Sequence, residues 1–266
     1  MAGSEELAAL GLRLRGLGLD LDPAKVSAVE QLNESLLYGA ILLARYPTTG
    51  AAAAPLAAWE HELDAIIPAK VRFNPNMHMA EASLTDPPHL PHSIRMADIA
   101  HVDFDRLLRV TLAAAPFTIR FVSIYLDPDG NLVLAGRMDG PEVVELRQRW
   151  REAGLWVKGH PVLAGAQCTF HATMTHVPLG TWRGMKDVAL GRLRAWLDAH
   201  AALDRPVDVE VRGLQIVCMP CRSGRSTLGD DIDLPLQQDG RILDGSRVAQ
   251  EILRRFDSAR LATAHG

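Results

Sequence analysis

Cysteine is scarce, with three in 266 residues. An odd, low count excludes a disulfide framework and fits a reducing compartment such as the cytoplasm. Cys218 and Cys221 have C-x-x-C spacing, but no second pair supplies the other two ligands of a structural zinc. They read as incidental thiols at a strand end. Positive charge is not in excess: 28 Lys and Arg stand against 32 Asp and Glu, giving a net charge of −4 and a pI near 6.2. With aromatics at 5%, the basic, aromatic-rich face of a protein that coats long double-stranded nucleic acid is missing. A small nucleotide or an RNA end stays open as a partner. No apolar run is long enough to span a bilayer, and the acids Glu5 and Glu6 do not suit a secretory signal.

What is present is an ordinary globular composition, 48% hydrophobic and 23% charged. Leu7, Leu10 and Leu14 recur at helical spacing, and Pro23 opens a second helical pattern through Val26, Val29 and Leu32. Leu36 to Ala44 is a short apolar run that fits a buried strand, and Leu56, Trp59, Leu63, Ile66 and Ile67 stripe a helix. Val71 to Leu84 reads as extended, Thr85 to about His101 as a polar loop, and Phe104 to Leu112 as helical. Phe117 to Leu126 is a strand by its β-branched and aromatic content. The turn Asp127-Pro-Asp-Gly130 returns it through Asn131 to Ala135. Pro141 opens a helix with Val143, Leu146 and Trp150 on one face.

The second half repeats the order in part. Cys168 to Val177 reads as a strand. Met185, Val188, Leu193, Trp196 and Leu197 stripe a helix, Val207 to Cys218 alternates as a strand, and Ser246 to Leu261 is helical. The expected fold is α+β, bilobed and pseudo-symmetric. The expected organisation is an N-terminal helical extension over 1–34, the bilobed domain over 35–225, and a C-terminal loop and helix over 226–266.

Thr169 to His176 reads T-F-H-A-T-M-T-H. On a strand, His171 and Thr173 share a face while Phe170, Ala172 and Met174 take the other. An imidazole moves a proton near neutral pH, and a hydroxyl beside it donates to a phosphoryl oxygen. H-x-T is common by chance, and a structural histidine is the plainer reading. An earlier stretch, Met77-His78-Met79-Ala80, gives it a partner.

Together these stretches resemble the two-histidine phosphoesterase superfamily, which includes 2′-5′ RNA ligase-like proteins and RNA 2′,3′-cyclic phosphodiesterases. Val71-Arg-Phe-Asn-Pro-Asn-Met-His78-Met-Ala-Glu81 resembles the first motif and its lead-in. Pro116-Phe-Thr-Ile-Arg-Phe121 resembles the strand that follows, and Thr169-Phe-His-Ala-Thr-Met174 the second motif. The two histidines lie 171 − 78 = 93 residues apart, the order of one lobe. The likeness runs over roughly Leu36 to Cys218.

The resemblance implies two antiparallel sheets around a central cleft with helices outside, His78 and His171 as a metal-free acid–base pair, no cofactor, and Thr173 as a phosphoryl ligand. Its first motif departs from the pattern, because position 80 is Ala where a hydroxyl is expected. Ser83 and Thr85 lie at odd spacing from His78, on the opposite face unless a bulge intervenes. Arg72, Arg120 and Arg137 are candidates for anion contact, and Tyr125 or Phe73 for stacking a base. His89, His92 and His101 fit no helix-based metal motif, and His176 reads as structural. The missing hydroxyl and the acidic pI keep two alternatives open: a nucleotide-binding protein without turnover, and a phosphodiesterase of a non-nucleic-acid metabolite.

Overall fold

The computed structural model describes residues 2–35, 39–74, 77–85, 94–138, 142–157, 169–219, 228–237 and 244–264. Two antiparallel sheets with flanking helices make an α+β fold. The chain opens with helices α1 (Ala2–Gly16) and α2 (Pro23–Ser35), which pack on each other and bury Leu10, Leu14 and Val26. Among the described residues the first sheet has five strands and the second four.

In the first sheet, β1 (Gly39–Arg45) is central and flanked by β2 (His78–Ser83) and β8 (Gly213–Met219). The edges are β5 (Trp156–Val157) and β9 (Ile232–Pro235). Gly39 starts β1 at φ +88°, and a Cβ there would sit 2.5 Å from Thr85 Oγ1, so only glycine fits. In the second sheet, β3 (Phe117–Leu126) and β4 (Asn131–Arg137) form the expected hairpin, with β6 (Thr169–His176) and β7 (Val207–Val211) outside them.

One face of each sheet enters the main core. The first sheet gives it Ala40, Leu42 and Ala82, and the second gives it Phe121, Leu134, Phe170 and Ala172. Helices α3 (Ala54–Asp64), α5 (Phe104–Leu112), α6 (Glu142–Glu152), α8 (Asp187–His200) and α9 (Gly245–Ala264) complete that core with Leu63, Leu107, Trp150, Leu190 and Ile252. Trp59, Trp150 and Trp196 are buried there as their helical spacing predicts.

Several elements differ from the sequence reading. The strand expected over 36–44 is Gly39–Arg45, with 36–38 outside the described residues. The extended stretch 71–84 is a strand only from His78. The single strand expected over 207–218 is two strands, one in each sheet, broken at Arg212. Periodicity cannot reveal this, because both halves present apolar residues and the change of sheet is a tertiary event. The helix striped from Met185 begins only at Asp187, because Met185 itself caps the C-terminus of the preceding short α7 (Leu179–Gly184), and Val188 is 77% exposed rather than part of the stripe. Strand β9 and the short α4 (Met96–Ile99) carry too few periodic residues to be read.

Candidate functional site

The two motif strands come from different sheets, and β2 lies against β6. Hydrogen bonds tie the lead-in of the first motif to the second. Asn74 N–H donates to the Met174 carbonyl at 2.7 Å, and Thr175 Oγ1 donates to the Arg72 carbonyl at 3.1 Å. Met77 N–H then turns back to the Asn74 carbonyl, and Tyr46 N–H donates to the Met77 carbonyl at the end of β1.

Each motif strand carries a bulge beside its motif residues. In β6, Leu132 pairs with Thr175 and Val133 with Thr173, so Met174 is an extra residue without a ladder partner on β4. Its carbonyl is the one that Asn74 takes. In β2, Ala44 pairs with Ala80 and Arg45 with His78, so Met79 is extra. A third bulge adds Val122 to β3, and its carbonyl accepts Leu203 N–H at 2.8 Å. Bulges re-aim side chains and often border functional sites.

Residues directly opposite each other in a ladder share a face. On the face of the second sheet away from the main core, His171, Ala135 and Ser123 form one row. Thr173, Val133 and Tyr125 form the next. Arg137, Arg120 and Asp208 form the row on the other side. Rows on one face are about 7 Å apart and neighbouring strands about 4.8 Å, so His171 and Ser123 stand about 10 Å apart across the small Ala135. His171, Thr173, Ser123 and Tyr125 are half-buried, and Arg120 and Arg137 are exposed. Strict alternation would put Arg120 and Tyr125 on opposite faces; the bulge at Val122 puts them on one.

The structure therefore brings His171, Thr173, Tyr125, Arg120 and Arg137 to one face. Arg120 holds Asp208 with two bonds of 2.8 and 3.0 Å, and that interaction keeps the Asp208 carboxyl below the usual range. Burial, then the charge of Asp127, pushes the Tyr125 phenol above its ordinary value, so it stays an O–H donor at working pH. Behind His171, Phe170 is stacked at 6.1 Å from Phe117, and the Arg147 guanidinium lies 4.2 Å over its ring. Arg72 is placed differently: its guanidinium lies 3.6 Å from Glu60 on α3, and its backbone carbonyl meets β6.

The backbone of His78 and Ala80 is described, and their side chains lie outside the described residues. The register pairs position 78 with Arg45, one alternation from Leu43, while position 80 pairs with Ala44, which belongs to the main core. The bulge thus separates two positions that plain alternation would place on one face. Ser83 Oγ donates to the Thr85 carbonyl at 3.1 Å and accepts from Thr85 N–H, so both hydroxyl residues are engaged in a buried corner.

His176 Nδ1 lies 3.0 Å from Asn131 Oδ1, and its Nε2 lies 3.7 Å from Glu30 on α2. The Met174 bulge breaks the alternation that separated it from His171. His89, His92 and Cys221 lie outside the described residues, and His101 is exposed. Among the described residues no three His, Cys, Asp or Glu side chains gather as a metal would require, and no helix is long and apolar enough to cross a membrane. Ser123 was not singled out from the sequence. Its link to His171 depends on the Val122 bulge, which leaves no mark in the residue pattern.

No protein-family model matches this chain, and no curated protein does. Among solved structures, that of Kluyveromyces marxianus Usb1 is similar at TM-score 0.39 and 9% identity, over 76% of this chain and 98% of that one. This likeness is too slight to carry a function across.

Proposed function

We propose that this chain is a metal-independent phosphodiesterase that opens a 2′,3′-cyclic phosphate or a 2′-5′ linkage on a nucleotide or an RNA end, in the cytoplasm. The observation that supports it best is the meeting of β2 and β6, one from each sheet, each with a motif histidine on a bulged strand. One histidine takes a proton from water as its oxygen attacks phosphorus. The other gives a proton to the ribose oxygen as the P–O bond breaks. Imidazole titrates near 6.5, so both forms are available at neutral pH without a metal or cofactor. Thr173 donates to a non-bridging oxygen, Arg120 and Arg72 supply positive charge to the substrate, and Tyr125 packs on the nucleoside.

The test is turnover of the four nucleoside 2′,3′-cyclic monophosphates with EDTA present. His78→Ala and His171→Ala should each lower the rate by about 10²–10⁴-fold, and the wild-type pH profile should be bell-shaped. Retained activity in both variants would remove the proposal. A second reading, a nucleotide-binding protein without turnover, is favoured by the lack of a hydroxyl at Ala80 and by the bulge at Met79. It requires ligand binding with no product from any of the four substrates.

A further inference from the structure

Five tryptophans are present, and four of them, Trp59, Trp150, Trp182 and Trp196, are at most 8% exposed. Trp156 is 46% exposed. It occupies β5, the two-residue edge strand that pairs with β2. The register pairs Val157 with Ala82 and Trp156 with Ser83. Ala82 belongs to the main core and Val157 packs against it, so Trp156 takes the other face. Ser83 pairs in turn with Ile41, and Ile41 and Leu43 form a separate small cluster with Val217 and Met219 on that face. Position 78, opposite Arg45, belongs to the same face by register.

The backbone under the indole is pinned. Gly154, at φ +95°, presses so closely on the His101 carbonyl that a Cβ would sit 2.3 Å from its oxygen. Leu155 N–H closes on the Trp150 carbonyl at 3.0 Å, and Asp103 N–H binds the Ala153 carbonyl at 2.9 Å. A flat apolar ring is thus presented to solvent on a fixed support beside a motif strand. Among the described residues, the other large exposed apolar side chains, Leu12, Met96 and Val188, stand on helices.

We infer that Trp156 is a stacking platform for an unpaired base of single-stranded RNA, a nucleotide or two from the phosphate handled by His78 and His171. This rests on the proposed phosphodiesterase reading. With Met79 bulged out, positions 78 and 83 pair with Arg45 and Ile41, four residues apart on β1, about 13 Å at 3.3 Å per residue. That separation is outside a single nucleotide and within reach of a short strand. An indole face accepts any base, so the platform selects single strands over duplexes rather than one sequence.

The experiment is fluorescence anisotropy of labelled pentauridylate with the full chain carrying His171→Ala, so that nothing is consumed. Adding Trp156→Ala should weaken binding about tenfold or more, and adding Trp156→Phe less than threefold, since a ring remains. A pentamer with its bases removed should bind the Trp156-containing protein as weakly as pentauridylate binds the Trp156→Ala chain. Indole fluorescence should be quenched by pentauridylate and not by a duplex of the same length. Equal affinities of the Trp156 and Trp156→Ala proteins for pentauridylate would overturn the inference even if cyclic phosphates are turned over. Weakened binding in a chain that turns over no cyclic phosphate would sustain the platform and refute only the phosphodiesterase reading.

Discussion

Thr175→Val tests whether the two motif strands work as one unit. The substitution keeps the shape and removes the hydroxyl that donates to the Arg72 carbonyl at 3.1 Å. Thr175 is 7% exposed. A net hydrogen bond is worth about 0.5–1.5 kcal/mol, and leaving a buried acceptor unpaired raises the loss toward about 1–3 kcal/mol. A fall of about 1–2 kcal/mol in unfolding free energy is therefore expected from urea melts. Thr111→Val is the matched control, because Thr111 Oγ1 accepts Trp150 Nε1–H at 3.1 Å in the helical layer. Both variants should lose similar stability. Only Thr175→Val should also lower kcat/KM for a cyclic phosphate, by tenfold or more, because it loosens the lead-in of His78 from β6. Displacement of a reacting group by about 1 Å can cost about 10²-fold. Equal kinetic effects in the two variants, or full activity in a destabilised Thr175→Val, would refute the idea that this bond sets the spacing of the two histidines.

Three further outcomes follow from the geometry. Gly136→Ala would place a Cβ 2.7 Å from Phe121 Cδ1 and 2.8 Å from Ile119 Cγ2, so thermal melts should show a loss of about 1–3 kcal/mol, part of it recovered by Phe121→Leu. Because Arg120 depresses the Asp208 carboxyl, the pair adds stability above about pH 4 that is lost as pH falls through the lowered value. Both partners are about half exposed, so Asp208→Asn should cost at most about 1 kcal/mol at pH 7 and nothing at the acid end; a difference that persists in acid would contradict this. Burial pushes the Cys218 thiol up to about 12, so iodoacetamide at pH 8 should modify Cys218 only on unfolding, as peptide mass mapping would show.

Much of this fold is legible because its elements carry their own periodicity. The hairpin Phe117–Leu126 with Asn131–Arg137 follows from β-branched residues around an Asp-Pro-Asp-Gly turn. The helices over 104–112 and 142–152 follow from apolar spacing, and the buried tryptophans from their helical stripes. His171 and Thr173 are legible as a pair because no extra residue intrudes between them.

What stayed hidden is whatever depends on partners distant in sequence. A bulge is one residue without a ladder partner, and only the opposing strand defines it. Met79, Val122 and Met174 look like any apolar residue in a strand, yet they decide which of His78, Ala80, Arg120, Tyr125 and His176 share a face. The change of sheet at Arg212 and the edge position of Trp156 depend likewise on which strands are neighbours. By itself the sequence determined an α+β chain, its main hairpin, most of its helices and one histidine-threonine strand, since each rests on local spacing of side chains. Only the tertiary structure decided how that strand meets a second one and which polar residues stand beside it, because register and sheet order are set by contacts between segments a hundred residues apart.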